Sequence, residues 1–272
     1  FQETSKSVGS GAMGAQMNDD LIFALELADA ADQKSMERFQ ALDLLVETKP
    51  DRSPVTDADR SVETAIRELI AKHRPEDSII GEEYGSGGDS ERVWIIDPID
   101  GTANFLRGVP VWATLIALRV KGEYVLGVVS APAMGRRWWA ATGEGAFTTE
   151  VSGETQKLQV SKVKDISDAS FSFSSMELWD ENGEIEKLWK ISRSVWRTRA
   201  YGDFWSHMLV AEGAIDISAE SHLKIYDWAA IAPIVREAGG VFRDQAGELH
   251  DQTSKVMACN GLLDSQLSEL LK

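Results

Sequence analysis

The segment that decides the fold is residues 93–102, VWIIDPIDGT. Its apolar start is typical of a buried strand, which ends on Asp97 and is soon followed by Asp100. A buried carboxylate is unfavourable unless it is paired or bound to a metal ion, so two such acids indicate more than an ordinary turn. Gly101 and Thr102 can begin a short helix, whose first backbone NH groups attract an anion. The segment therefore predicts acids at a strand end beside a place for a phosphate group.

Other predicted elements also deliver acids. The run at 78–81 is typical of a second buried strand and is followed by Glu82. Thr56 is a suitable N-cap for a helix that ends near residue 73, and Asp59 lies in the first turn of that helix. Asp227 directly precedes a further predicted helix. Oxygen ligands of this kind select magnesium or manganese over zinc, and such a cluster is best suited to the hydrolysis of a phosphate ester.

The rest of the chain mixes helices and strands without an internal repeat or a low-complexity linker. We predict a helix at 18–39 with its first turn at 18–20, extended chain at 42–48, a loop at 49–54, a hairpin of strands 113–120 and 123–130, a helix at 202–212, a strand at 214–218, and a helix at 228–238 that stops at the glycines 239 and 240. This pattern indicates layered α and β structure in one unit.

Composition narrows the class of protein. The chain has 272 residues, 43% of them hydrophobic and 26% charged, which is ordinary for a globular protein. A formal net charge of -16 argues against binding to nucleic acid, and no apolar run is long enough to span a membrane. The single cysteine, Cys259, excludes an internal disulfide and fits a reducing cytoplasm. Residues 1–16, FQETSKSVGSGAMGAQ, resemble a tag remnant more than a targeting signal, so we expect the fold to start at Met17.

Five short motifs together resemble the inositol monophosphatase family. They are PVTDAD at 54–59, GEE at 81–83, WIIDPIDGT at 94–102, YDW at 226–228 and EAGG at 237–240. The resemblance runs from residue 51 to residue 260 and implies an α+β fold, the layered αβαβα sandwich of the inositol monophosphatase-like sugar-phosphatase superfamily. It implies an N-terminal α+β half at 17–147 with most of the metal ligands. A C-terminal α/β half at 148–272 would carry Asp227 and the substrate contacts.

The resemblance also implies a phosphomonoesterase that needs two or three magnesium ions, with manganese as an alternative, and no organic cofactor. The implied ligands are Glu82, Asp97 and the Ile99 carbonyl for the first ion, Asp97, Asp100 and Asp227 for the second, and Asp59 beside Glu82 for the third.

The implied catalytic residues are Asp59, Thr102 and Glu82. In the family pattern, Asp59 pairs with Thr102 to orient and deprotonate the attacking water. The amides of Gly101 and Thr102 hold the phosphate. The implied substrate contacts beyond the phosphate are Arg199, Asp203, Glu220 and Asp227.

A finer resemblance concerns the substrate. Segments 107–113, 130–133, 136–140, 171–175 and 199–204 resemble the actinobacterial histidinol-phosphate phosphatases of this family, which act in histidine biosynthesis. L-histidinol phosphate carries an amine and an imidazole. An acidic pocket edge made of Asp203 and Glu220 suits it, because opposite charges attract strongly where water is excluded. The resemblance thus implies a small phosphorylated substrate and a homodimer.

Alternatives remain at this stage. Asp203 can instead cap the helix that follows it, Glu220 can be a solvated loop residue, and Arg199 can be a structural ion-pair partner. Within the family, inositol-1-monophosphatase or fructose-1,6-bisphosphatase is the alternative activity. From another class, the chain can be a metal- or lithium-sensing regulatory protein with a degenerate site, although the complete set of ligands argues against it.

Overall fold

The first half of the chain is built from two long helices and an eight-stranded sheet. The structure, a computed structural model, describes residues 10–49, 54–149 and 153–272, and of residues 10–18 it describes the backbone alone. The elements of this half are α1 (Ser10–Arg38), β1 (Val46–Thr48), β2 (Pro54–Thr56), α2 (Asp57–His73), β3 (Ser78–Gly81), β4 (Gly85–Gly87), β5 (Arg92–Asp100), α3 (Thr102–Leu106), β6 (Ala113–Val120), β7 (Glu123–Ala131), β8 (Arg136–Ala141), β9 (Gly145–Thr149) and β10 (Thr155–Lys157).

The large sheet has the strand order β10-β9-β8-β7-β6-β5-β3-β4, and all neighbours are antiparallel except β3 and β5. β1 and β2 form a separate two-stranded sheet. The register of β5 against β6 shifts between Asp97 and Asp100. Pro98, which lies in this interval, has no NH group to donate to the ladder. Residues three apart on a regular strand face opposite sides, so the irregularity allows both acids to face the same side.

The second half contains a five-stranded sheet and six helices among the described residues. Its elements are β11 (Ser170–Ser172), α4 (Met176–Glu181), α5 (Ile185–Ser194), β12 (Arg197–Arg199), α6 (Asp203–Ala211), β13 (Ile217–Ser221), α7 (Ile225–Trp228), α8 (Ile231–Glu237), β14 (Val241–Asp244), β15 (Lys255–Cys259) and α9 (Asp264–Leu271). The strand order is β12-β11-β13-β15-β14, in which β11 runs parallel to β12 and β13 and the other pairs are antiparallel.

The core is divided among layers of helices and sheets. Apolar residues of α1 and α2 pack on one face of the large sheet. Its other face packs against α6 and α8, which also contact the second sheet, and the outer face of the second sheet is covered by α5 and α9. The result is the predicted layered αβαβα sandwich. Among the described residues, no helix has both the length and the apolar character needed to cross a membrane.

Helix α8 touches the large sheet through backbone atoms. A Cβ atom at Gly127 of β7 would lie 1.9 Å from the carbonyl oxygen of Ala230, the residue before α8. Only glycine fits this contact, because the neighbouring atom is backbone and cannot move aside. The contact fixes how closely the helices between the two sheets approach the first sheet.

Most of the predicted elements are confirmed. Helix α2 begins at Asp57 with Thr56 as its N-cap, and Thr56 and Asp59 form a complete capping box. The hairpin of β6 and β7 also agrees with the prediction. Of the predicted loop at 49–54, residues 50–53 lie outside the described residues.

Three predicted boundaries are wrong. Helix α1 begins at Ser10, not at residue 18, so part of the segment set aside as a tag remnant continues the helix; residues 1–9 of that segment lie outside the described residues. Strand β13 begins at Ile217, not at residue 214, because the amides of Ala214 and Ile215 donate to the Leu209 carbonyl and close the end of α6. The predicted helix at 228–238 is α8, which begins at Ile231 and not at residue 228; Trp228 belongs to the separate short helix α7, and Pro233 cannot donate the hydrogen bond that would join the two helices.

The division of the chain at residues 147 and 148 stays a prediction. Strands β9 and β10 both pair within the large sheet, which favours a division after Lys157.

Candidate active site

Three carboxylates from the two halves of the chain meet at the end of β5. Asp97 and Asp100 belong to β5, and Asp227 is the third residue of α7, which packs against β5. One oxygen atom of each carboxylate lies within 4.8 Å of the other two. The Ile99 amide donates to Asp97 Oδ1 at 3.0 Å, and the Lys224 amide donates to Asp227 Oδ2 at 2.7 Å. These backbone hydrogen bonds fix the orientation of two of the three acids.

Burial and the charges of neighbouring acids raise the pKa of all three acids. Burial raises the pKa of Asp97 well above its ordinary value, and the charges of Glu82, Asp100 and Asp227 raise it further. Burial and the charges of Asp203 and Asp227 have the same effect on the pKa of Asp100. Burial raises the pKa of Asp227 to about 7, although a backbone hydrogen bond opposes the shift. Such a cluster attracts cations, because a bound cation offsets both the repulsion and the loss of hydration.

Glu82 lies beside this cluster and is paired with a lysine. Its amide donates to the Ile96 carbonyl of β5 at 3.2 Å. Lys49 Nζ donates to Glu82 Oε1 at 2.7 Å and to Glu83 Oε1 at 2.6 Å. Burial lowers the pKa of Lys49, but these two hydrogen bonds raise it above its ordinary value, so Lys49 is a cation. An ammonium group therefore contacts the carboxylate that the sequence assigns to the first metal ion.

Asp59 and Thr102 form a hydrogen-bonded pair. Thr102 Oγ1 lies 3.2 Å from Asp59 Oδ1 and 3.0 Å from the Ile99 carbonyl oxygen. The other oxygen of Asp59 accepts from the Thr56 amide at 2.8 Å and from Thr56 Oγ1 at 2.5 Å. Burial raises the pKa of Asp59, although the hydrogen bonds from Thr56 act in the opposite direction. A fixed, buried carboxylate with a raised pKa is suited to accept a proton.

Gly101 joins β5 to the short helix α3. Its φ angle is 83°, which is in the left-handed region that favours glycine. A Cβ atom at this position would lie 3.0 Å from the Val111 carbonyl oxygen and 3.3 Å from Asp203 Oδ2. Backbone conformation and lack of space therefore both require glycine here, next to Thr102.

Asp203 faces this turn from the other half of the chain. Its carboxylate oxygen Oδ2 accepts a hydrogen bond from Asn104 Nδ2 at 3.0 Å, and burial raises its pKa to about 6. The alternative that Asp203 caps its own helix is not supported, because its carboxylate contacts Asn104 of α3 and the start of α6 has no side-chain cap hydrogen bond.

Glu220 is a buried acid on β13. It is 3% exposed, so the alternative of a solvated loop residue is wrong. Burial raises its pKa to about 8; a hydrogen bond with Ser174 opposes the shift, and the charge of Asp203 adds to it. Its Oε1 atom is buried without a hydrogen-bond partner in the described part of the chain. A buried acceptor without a partner indicates a place for a donor from a ligand.

One cavity connects the two groups of acids. Its lining includes Asp100, Asp203, His207, Glu220 and Asp227. Burial lowers the pKa of His207 to about 3, so its ring is neutral and adds no positive charge. The carboxylate cluster and the pair of predicted substrate contacts therefore share one acidic cavity.

Arg199 is the predicted substrate contact that the structure does not bring to this cavity. It lies on the edge strand β12, its side chain is exposed, and Nη1 donates to the Thr198 carbonyl at 2.7 Å. No carboxylate among the described residues forms an ion pair with it, so the structural ion-pair alternative has no support either.

Comparison with known proteins agrees with this geometry. The profile of the inositol monophosphatase family matches residues 17–272. The chain belongs to this family.

Relatives within the inositol monophosphatase family are similar over nearly their whole length. A Streptomyces coelicolor protein named histidinol-phosphatase is 52% identical over 253 residues, which are 92% of this chain and 95% of that protein. A Mycobacterium tuberculosis protein of the same name is 50% identical over 92% of this chain and 96% of its own length. The solved structure of the extragenic suppressor protein SuhB from Bartonella henselae is 30% identical, with a TM-score of 0.84, and the match covers 95% of this chain and 98% of that one.

Glu63 is a site residue that the sequence analysis missed. It is fully buried on α2, and its carboxylate accepts from the Glu83 amide at 2.7 Å, the Tyr84 amide at 3.2 Å and Arg67 Nε at 2.7 Å. It thereby fixes the turn that carries Glu82. The available signal was its position one helical turn after Asp59, on the apolar face of the predicted helix.

Proposed function

We propose that this protein is a magnesium-dependent phosphomonoesterase that hydrolyses L-histidinol phosphate to L-histidinol and phosphate, in histidine biosynthesis. The observation that carries the proposal is the single cavity lined by Asp100 and Asp227 together with Asp203 and Glu220. Family membership supports hydrolysis of a phosphoric monoester, and the two actinobacterial relatives named histidinol-phosphatase support this substrate.

The donor set fits magnesium. The residues that would hold it are Glu82, Asp97, the Ile99 carbonyl, Asp100 and Asp227, with Asp59 for a third ion. All of these donors are oxygen atoms, which hard divalent cations such as magnesium prefer and manganese also accepts. Bound magnesium supplies a water of lowered pKa and stabilises the leaving oxygen of the ester. Lys49 donates to Oε1 of Glu82, and the carboxylate can still bind a metal ion through its second oxygen atom.

Asp59 and Thr102 would activate the attacking water. The Thr102 hydroxyl lies between Asp59 and the Ile99 carbonyl, where it would orient the attacking water. Asp59 would then take a proton from that water. The buried position of Asp59 keeps bulk water from competing for that proton. The amides of Gly101 and Thr102 would hold the phosphate group.

Asp203 and Glu220 would contact the cationic end of the substrate. The amine of L-histidinol phosphate is protonated at neutral pH, and the imidazole can donate a hydrogen bond to an acceptor such as Glu220 Oε1. Inositol phosphate and fructose bisphosphate have no cationic group, so two buried acids would disfavour them. The substrate role of Arg199 stays a prediction, since its side chain is exposed outside the cavity.

A phosphate-release panel tests the proposal. Purified protein with magnesium is given L-histidinol phosphate, inositol-1-phosphate and fructose-1,6-bisphosphate at equal concentrations. We expect kcat/KM to be highest for L-histidinol phosphate by at least about tenfold, which corresponds to about 1.4 kcal/mol of transition-state binding. Equal rates, or faster release from inositol-1-phosphate, would overturn the choice of substrate and favour the alternative activity.

The variant Asp97→Asn tests whether this protein is an enzyme or a regulatory protein with a degenerate site. We expect this variant to lose all measurable turnover while it stays folded, because the change preserves side-chain size and removes one buried charge. A wild-type protein that binds magnesium but releases no phosphate from any substrate of the panel would support the regulatory alternative.

We further propose that the enzyme is a cytoplasmic homodimer. The resemblance to the inositol monophosphatase family supports the homodimer, and the single buried cysteine, Cys259, fits a reducing cytoplasm. Analytical ultracentrifugation measures the oligomeric state directly.

A further inference from the structure

Asn104 connects the phosphate turn to the acidic end of the cavity. It lies on α3, and its carboxamide nitrogen donates to the Val111 carbonyl at 2.8 Å and to Asp203 Oδ2 at 3.0 Å. A carboxamide nitrogen has two hydrogen atoms, so both are used. The second bond joins residues that are 99 positions apart in the sequence, one in each half of the chain.

The backbone of Asp203 is held in an unusual conformation. Its φ angle is 47°, a left-handed value that is unfavourable for residues with a side chain. The Asp203 amide donates to Ser174 Oγ at 2.8 Å, which helps to hold this conformation. The carboxylate then lies against Gly101, with Oδ2 3.3 Å from the position of a Cβ atom there.

Asp203 shares the cavity with two other acids, Asp100 and Glu220. Asn104 attracts the carboxylate with a hydrogen bond and carries no charge. A lysine or arginine in its place would neutralise Asp203, whereas an amide leaves the negative charge available to a ligand.

We propose that Asn104 is a positioning residue that holds the Asp203 carboxylate in the cavity and thereby sets the preference for substrates with a cationic group beside the phosphate. The preference for cationic substrates rests on the proposed function, whereas the role of Asn104 in holding the Asp203 carboxylate does not depend on it.

The kinetic test compares inhibition by the two products. Phosphate reports on the phosphate end of the cavity, and L-histidinol reports on the cationic end. In Asn104→Ala we expect the inhibition constant of L-histidinol to rise about tenfold, the effect of losing one hydrogen bond to a charged group, while that of inorganic phosphate changes less than about twofold. KM for L-histidinol phosphate should rise more than kcat falls.

A double-mutant cycle assigns the effect to Asp203. In the Asp203→Asn background, the change Asn104→Ala should have little further effect on inhibition by L-histidinol, because the negative charge that Asn104 positions is already absent. Independent, additive effects of the two changes would overturn the proposal.

Thr114→Val is the matched control. Thr114 Oγ1 donates to the Pro98 carbonyl at 2.8 Å, so this change also removes a hydrogen bond to the β5 region but does not touch Asp203. We expect it to alter inhibition by both products to the same degree. If Asn104→Ala behaves in this way too, its role is structural and the proposal is wrong.

A crystal structure of the variant tests the position alone. Asn104→Leu, which preserves side-chain volume, is used if Asn104→Ala does not fold. We expect the Asp203 carboxylate to move away from Gly101, and an unchanged carboxylate would overturn the proposal. If the wild type does not hydrolyse L-histidinol phosphate, the proposed function fails, and the position of Asp203 in this variant still decides the role of Asn104.

Discussion

The Thr102 hydroxyl is the smallest group in the site with a distinct chemical role. It lies between Asp59 Oδ1 and the Ile99 carbonyl. Replacement of this hydroxyl by a methyl group, as in Thr102→Val, removes it without changing the shape of the turn. We expect Thr102→Val to lower kcat by about 100-fold, because loss of proton transfer typically has this magnitude, and to leave KM nearly unchanged. Steady-state kinetics at saturating magnesium measure both constants.

Thr102→Ser provides the comparison for this change. It retains the hydroxyl and loses only a methyl group, so kcat should stay within about fivefold of the wild type if the hydroxyl is what matters. If Thr102→Val has the kcat of the wild type, Asp59 accepts the proton without help from the Thr102 hydroxyl.

Individual site residues can be predicted from the sequence where the chemistry is local. Asp97, Asp100 and Thr102 lie in one short segment, and a buried strand that ends on acids is visible without coordinates. The contact of Asn104 with Asp203 could not be predicted, because it depends on how two distant parts of the chain pack together. Glu63 was missed for the same reason: its partners are backbone amides of a turn beyond the end of its helix.

At the scale of single elements, the turn after β3 requires glycine at position 81 because there is no space for a side chain, and not because of a positive φ angle. A Cβ atom at Gly81 would lie 2.0 Å from Glu63 Oε1 and 2.9 Å from Arg67 Nη2. Gly81→Ala therefore displaces the buried Glu63 and the turn that carries Glu82. We expect the free energy of unfolding to fall by about 1–3 kcal/mol, as in other overpacked cores, and magnesium affinity to fall as well. Urea denaturation and calorimetry measure the two effects.

Gly87→Ala is the control on the paired strand. Gly87 lies opposite Ile79 in the same sheet, is exposed, and has no described atom within 4 Å of an added Cβ. Its substitution should leave both stability and magnesium affinity close to those of the wild type. Similar losses in both variants would mean that the steric contact with Glu63 is not the cause.

Elements were predicted best where their ends have chemical signals. The Thr56 cap and the Lys121-Gly122 turn fixed α2 and the hairpin of β6 and β7. The start of β13 was predicted wrongly, because Ala214 and Ile215 have the side chains of a strand, but their amides bond to the end of α6. Such backbone hydrogen bonds leave no pattern in the sequence.

At the scale of the whole molecule, the buried acids make the stability of the metal-free protein depend on pH. Asp227 and Glu220 have pKa values of about 7 and about 8 in the folded protein, against ordinary values of 3.8 and 4.5. Between pH 4 and pH 8 the folded state therefore binds protons that the unfolded chain has released, so the free energy of unfolding falls as pH rises. We expect the metal-free protein to have a higher Tm at pH 5.5 than at pH 8, as measured by differential scanning calorimetry.

Magnesium should oppose this trend. The ion binds the deprotonated acids of the folded protein only, so its stabilising effect should be larger at pH 8 than at pH 5.5. Asp227→Asn provides the control, because it removes one of the titrating groups and should flatten the dependence of Tm on pH in the metal-free protein. A magnesium effect that is the same at both pH values would contradict this account.

The contact between Gly127 and the Ala230 carbonyl has a consequence for recombination within the family. Asp227 lies a few residues before Ala230, whereas Asp97 and Asp100 belong to the same sheet as Gly127. The closeness of this backbone contact therefore sets the distance between carboxylates that come from different halves of the chain. A chimera that joins this second half to the first half of a relative would assemble a working set of ligands only if the foreign strand also has glycine at that point.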